Sequence, residues 1–188
     1  MDAAVKSRIV SYLQSIYGSL MVGVAEKESE FDYSNTGQFN KTYKMPYITD
    51  KIAVGLMQLN LTRRGSPEWD DWASYWNWMV NADRGVEVFR QKLATVMRKV
   101  DKIRSGSPKK AALKYPLPGQ LENWQLYFYG GWATTWVGNV YIPNSKTGPT
   151  YWVVNPKLPA NVKQYINDVR DKAYRITGDA SVQDDKIP

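Results

Sequence analysis

Apolar residues recur at intervals of three and four along residues 82–103: Val86, Phe89, Leu93, Val96, Met97 and Val100. That period turns one face of a helix toward a core. The same spacing appears at Val5, Ile9, Val10, Leu13 and Ile16, and again at Val162, Tyr165, Ile166, Val169 and Ala173. It predicts helices over 3–16, 82–103 and 160–176. Residues 20–29 begin with the apolar run Leu20, Met21, Val22, Val24 and Ala25 ahead of Glu28, and read as a largely buried helix after the Gly18-Ser19 break. Ser66-Pro67-Glu68 is a helix-start signal, so 68–80 is expected to be helical. Residues 119–129 form a further short helix, stopped by Gly130-Gly131. Residues 32–52 are polar and rich in Gly, Asn, Tyr and Thr, which suits a loop or irregular hairpin. Ser105-Gly106-Ser107-Pro108 is a breaker, and residues 132–160 are loop-like. The expected fold is mainly α (α+β), a single domain over 1–188 with a small β-like insertion near residues 33–55 and a tail at 177–188.

Composition narrows the chemistry. The chain has no cysteine and no histidine. Thiolate nucleophiles, disulfides, imidazole bases and most zinc sites are therefore excluded. Acid/base work is left to carboxylates, tyrosines and lysines. No cofactor and no metal are expected. The formal charge is +7, which favours a polyanionic partner. Eight tryptophans and thirteen tyrosines stand against four phenylalanines. Such rings pair a flat apolar face with a polar edge and suit stacking against sugars as well as core packing. Trp69, Trp72 and Trp76 share one helical face, which suits a helix core. No apolar run approaches the roughly 18–20 residues of a membrane span.

The segment from Val22 to Asp32 holds three glutamates: Glu26, Glu28 and Glu30. Glu28 lies near the C-terminal end of an apolar helix, the negative pole of its dipole. That position and apolar neighbours disfavour the carboxylate, and a carboxyl kept protonated near neutral pH is a proton donor. By residue type alone, Glu26 and Glu30 are alternatives, and all three also suit an amphipathic surface.

A second block follows: Gly55-Leu56-Met57-Gln58. With Glu28-Ser29-Glu30-Phe31 it resembles the catalytic domain of the soluble lytic transglycosylases, glycoside hydrolase family 23, which has a lysozyme-like fold. The family pattern is an apolar helix ending in Glu-Ser-Gly-Phe, a polar loop, then Gly-Leu-Met-Gln. Asn81-Ala82-Asp83-Arg84-Gly85 is similar to the family's Asn-Ile-x-x-Gly helix start. Tyr165 to Val169 is similar to its closing Tyr-Val-x-x-Val helix. The resemblance spans about residues 10–175. It implies that Glu28 is the acid/base and that Ser29 helps orient substrate or carboxylate. It implies that Met57 meets a sugar face and that Gln58 donates to an N-acetyl or hydroxyl group. A family tyrosine bonds the catalytic glutamate; the matching stretch here offers Tyr127 or Tyr129. Three departures stand out: Glu30 replaces the family glycine, the asparagine after the tyrosine is missing, and the loop between Phe31 and Gly55 is longer.

The resemblance implies cleavage of the β-1,4 bond between N-acetylmuramic acid and N-acetylglucosamine in peptidoglycan, with a 1,6-anhydro product. A hydrolytic muramidase on the same fold would need a second carboxylate; Asp32 and Asp50 are the candidates. An inactive lysozyme-like structural or binding domain is a further alternative. The expected partner is the glycan strand of the wall. No nucleic-acid partner is expected, because no ribonucleoprotein-type aromatic block is present. The first residues lack a basic region followed by an apolar one, so no secretory signal peptide is expected. Such an enzyme would then reach the wall in a phage virion or after release by a holin, unless its native leader is missing.

Overall fold

The computed structural model describes residues 3–31, 34–35, 45–46, 48–49, 53–60, 77–130, 139–144 and 151–188. It is mainly helical, with small antiparallel β elements. The described residues belong to two compact units: residues 1–87 with 168–183, and residues 88–167 with 184–188.

The first unit opens with α1 (Ala3–Tyr17) and α2 (Ser19–Ser29). Gly18 between them has φ 85°, a positive value that glycine adopts without a Cβ penalty. Ile9 and Leu13 of α1 are fully buried. Every residue of α2 from Ser19 to Glu26 is buried, in keeping with its apolar run. Five two-residue strands follow: β1 (Ser34–Asn35), β2 (Met45–Pro46), β3 (Ile48–Thr49), β4 (Ala53–Val54) and β5 (Leu59–Asn60). β1 pairs with β2, and β3, β4 and β5 form an antiparallel meander. The expected insertion thus extends to Asn60 and includes the Gly-Leu-Met-Gln block.

Helix α3 (Trp78–Arg104) runs without interruption through Asn81, where the sequence suggested an end and a new start. Its residues 78–87 belong to the first unit. Helix α6 (Ala160–Thr177) contributes its residues 168–177 to the same unit. Gly23 of α2 faces the Val169 carbonyl and Ala173 of α6 with no room for a Cβ. Glycine is what lets these two helices approach so closely.

The second unit holds the rest of α3, then α4 (Pro108–Ala111), α5 (Pro118–Tyr129), the hairpin of β6 (Tyr141–Pro143) and β7 (Trp152–Val154), and α6 up to Asn167. Ser107 caps α4: its Oγ accepts from Lys110 N, so the expected breaker starts a short helix. The β hairpin falls in the stretch expected to be loop. Its register pairs Tyr141 with Val154 and Pro143 with Trp152. Fully buried Trp124 packs edge-on against Tyr141 and Trp152, with ring centroids 6.2 and 5.9 Å apart. Asn123 donates to Tyr141 Oη and to the Asp185 carbonyl, each at 2.7 Å. The expected tail is thereby tied down, and Ile187 is buried. No helix among the described residues is long and apolar enough to cross a membrane.

Candidate active site

Glu28 stands half-buried in the last turn of α2. The helix ends at once. Glu30 is its C-cap in the left-handed region, φ 54°, and its N–H donates to Glu26 O. Phe31 is also left-handed, φ 61°, and completely buried. Two successive left-handed residues turn the chain sharply, and the buried Phe31 ring anchors the turn. A residue with a Cβ is disfavoured in this conformation, whereas glycine is not. That is the physical reason for a glycine at this place in the pattern Glu-Ser-Gly-Phe, which Glu30 breaks.

Ser29 is buried, and its Oγ lies 3.0 Å from Ala25 O and 2.8 Å from Leu56 O. The hydroxyl therefore joins the end of α2 to the second block. That block, Gly55 to Gln58, is the turn between β4 and β5. Gly55 has φ 79° and Gln58 has φ 47°. Gln58 Nε2 donates to Gly55 O at 2.8 Å, which folds the side chain back over its own turn. Met57 N donates to Asn81 Oδ1 at 2.8 Å. The Met57 side chain is fully buried and packs against Gly85, where a Cβ would collide with it. Met57 in this conformation fills the space beneath the turn, and the Ser29 hydroxyl braces that turn against the end of α2.

Three sequence blocks thus converge in the first unit. Glu28-Ser29 meets Leu56 through the Ser29 hydroxyl, and the turn meets Asn81 and Gly85 of α3. The positioning role of Asn81 and the packing role of Gly85 had only a weak signal, the Asn-to-Gly block itself. Tyr127 and Tyr129 belong to α5 in the second unit. Tyr127 is fully buried, edge-on to Phe128 with ring centroids 5.2 Å apart. Tyr129 is half-buried, 6.0 Å from the Phe89 ring. Asp32, Asp50, the loop aromatics Tyr33, Phe39, Tyr43 and Tyr47, and Trp69, Trp72 and Trp76 lie outside the described residues.

The neighbouring glutamate has a different environment. Glu26 is buried and carries Arg175 Nη2 at 3.0 Å, Lys6 Nζ at 3.7 Å and Lys172 Nζ at 4.0 Å. Removing a carboxylate from water is costly unless it is paired, and three cations compensate it. Its carboxylate is committed to holding α1, α2 and α6 together. Asp83, inside the third block, accepts from Tyr12 Oη at 2.6 Å and Tyr17 Oη at 2.7 Å. The hydrogen bond to Asp83, aided by burial and the carboxylate's charge, holds the Tyr12 hydroxyl well above the usual tyrosine range. Among the described residues no group of three acidic, cysteine or histidine side chains could hold a metal.

Comparison with protein-family models, with curated proteins and with solved structures finds no match to this chain.

Proposed function

We propose that this chain is a peptidoglycan lytic transglycosylase on a lysozyme-like fold, with Glu28 as its acid/base. The observation that carries the reading is the convergence just described. Glu-Ser, Gly-Leu-Met-Gln and Asn-to-Gly are separate in sequence, yet Ser29–Leu56 and Asn81–Met57 hydrogen bonds join them. A chance resemblance gives no reason for these blocks to meet. Both bonds involve the blocks' own polar side chains, Ser29 and Asn81.

In this reading Glu28 donates its proton to the glycosidic oxygen of the leaving N-acetylglucosamine as the C1–O bond breaks. The resulting carboxylate takes the proton of the C6 hydroxyl on the same muramic acid. O6 then bonds to C1 and closes the 1,6-anhydro ring. The nucleophile is intramolecular, so the protein has no water to position. Ser29 and Asn81 hold the scaffold, and Gln58 is the polar group of the turn closest in role to a substrate donor.

The test is Glu28→Gln. The amide keeps the shape but cannot exchange the proton. Clearance of purified sacculi should fall on the order of 100- to 10,000-fold, with circular dichroism and melting temperature unchanged. A Gln variant that clears sacculi at the native rate overturns the assignment.

A further inference from the structure

The charge of this chain is unevenly distributed. The second unit has thirteen Lys or Arg against four Asp or Glu, a formal +9. The first unit, which contains Glu28, has twelve against fourteen, a formal −2. The attraction for a polyanion thus comes from the unit that does not contain Glu28.

That unit also has an open pocket of about 590 Å3, formed where the 112–120 segment meets β7. Small-ligand sites fall in the range of roughly 300–1,000 Å3. Tyr115, Leu117, Tyr151, Gln120 and Lys114 line it. Tyr115 is 47% exposed, Tyr151 53% and Leu117 65%. Three large side chains thus stand exposed around one concavity, where a flat ligand face can reach them. Tyr115 is exposed yet fixed. Its hydroxyl donates to Asp101 at 2.8 Å, and the Arg104 guanidinium lies 4.1 Å from its ring centroid. Arg104 is in turn held by the Leu113 carbonyl at 2.8 Å. Trp152 Nε1 donates to Lys114 O at 2.7 Å and pins the segment to β7. A ring locked in place loses little freedom when a ligand stacks on it.

We propose that this pocket is a second binding site, for an acidic N-acetylated glycan strand, distinct from the Glu28 group. The proposal rests on the wall-glycan reading above. A pyranose presents an apolar C–H face to Tyr115 or Tyr151 and polar groups at its edge to Gln120. A carboxylate on the strand's peptide meets exposed Lys114 in a unit of high positive charge. The pocket lies at the N-terminal end of α5, while Tyr127 and Tyr129 lie toward the other end. Ten residues of helix separate Leu117 from Tyr127, or about 15 Å. The described residues of the pocket do not offer the succession of free aromatic faces on which single-stranded nucleic acid stacks, since Arg104 covers one face of Tyr115.

The test uses the full chain in two forms. In the Glu28→Gln background, which leaves the substrate intact, Tyr151→Ala with Lys114→Gln should weaken co-sedimentation with purified sacculi about tenfold. In the Glu28 chain, the same pair should leave cleavage of a short soluble glycan within about twofold and the melting temperature unchanged. Tyr151→Phe should restore binding, because it keeps the stacking face. Sacculus binding indifferent to the double change overturns the proposal. Tighter binding to a single-stranded oligonucleotide than to sacculi, lost in the double variant, also overturns it and gives the pocket to nucleic acid. The two readings fail separately. A chain that binds sacculi through Tyr151 but releases no fragments keeps the site and loses the cleavage function; a chain that cleaves but ignores Tyr151 does the reverse.

Discussion

The Ser29 hydroxyl sits 2.8 Å from the Leu56 carbonyl oxygen, so the residue after Glu28 is bonded to the turn that carries Gln58. The bond is buried and spans 27 positions of sequence. Ser29→Ala leaves that carbonyl without its side-chain donor and opens a gap the size of an oxygen atom. An unmet buried acceptor costs about 1–3 kcal/mol. Chemical denaturation should show a loss within that range, at an unchanged slope. Clearance of sacculi should fall further than stability alone explains, because Glu28 loses its brace. A variant equal to the native chain in both measurements removes Ser29 from the site.

Glu30 supplies the opposite case. Its φ of 54° places a side chain where glycine has no penalty. Replacing it by glycine relieves left-handed strain of about 1–2 kcal/mol, offset in part by the greater freedom of glycine in the unfolded chain, about 0.5–1 kcal/mol. Glu30→Gly should therefore raise stability by about 0.5–1 kcal/mol. Because Glu30 is exposed beyond the helix end, lysis should persist. Loss of lysis in a well-folded Glu30→Gly chain would move the acid/base role from Glu28 toward Glu30.

The helices were legible because each one buries a stripe. Periodicity predicts 3–16 and 160–176, and the helices run Ala3–Tyr17 and Ala160–Thr177; the short helix expected over 119–129 before Gly130-Gly131 runs Pro118–Tyr129. Asn81 misled, since asparagine commonly caps a helix and is a weak helix former. Here it sits inside α3, and its side-chain oxygen accepts from Met57 N. A partner 24 positions away outweighs local preference. The β6–β7 hairpin was hidden because its strands are short and one ends in Pro143. In the site, the motif pointed to Glu28, Ser29 and the turn. It gave no means of telling that Met57 faces inward, since a buried and a sugar-facing methionine look alike in sequence. Residue type alone left Glu26 as an alternative to Glu28, and the structure surrounds Glu26 with three cations drawn from α1 and α6.

Tyr12 and Asp83 make alkaline stability testable. The folded chain binds the Tyr12 proton more tightly than the unfolded chain, chiefly through the hydrogen bond to Asp83. A raised folded-state pKa contributes stability that is fully present below the unfolded tyrosine value, about 10, and is lost as pH rises beyond it. The denaturation midpoint should therefore fall with pH above about 10. Tyr12→Phe should flatten that fall and remove one late-titrating tyrosinate from the absorbance titration. An identical pH slope in the Phe variant means that Tyr12 titrates as an ordinary tyrosine.

The product ends decide between an internal and an external nucleophile. A retaining glycosidase needs a second carboxylate roughly 5 Å from its acid, and an inverting one needs a base roughly 6.5–9.5 Å away with a water between. The two glutamates flanking Glu28 are poor partners for different reasons. Glu26 is buried among Lys6, Lys172 and Arg175, and freeing it would leave three cations crowded together. Glu30 has left the helix through a left-handed cap and is exposed. With neither available, a single carboxylate and the muramic acid's own C6 hydroxyl is the simplest chemistry. Fragments released from sacculi should therefore end in 1,6-anhydro-muramic acid, one water lighter in mass than the reducing form. Borohydride should leave these ends unchanged, since a closed ring has no aldehyde to reduce. If every muramic end is reducible, water is the nucleophile and the enzyme is a muramidase. Asp32→Asn and Asp50→Asn then become the informative variants, because one of them must abolish lysis as completely as Glu28→Gln.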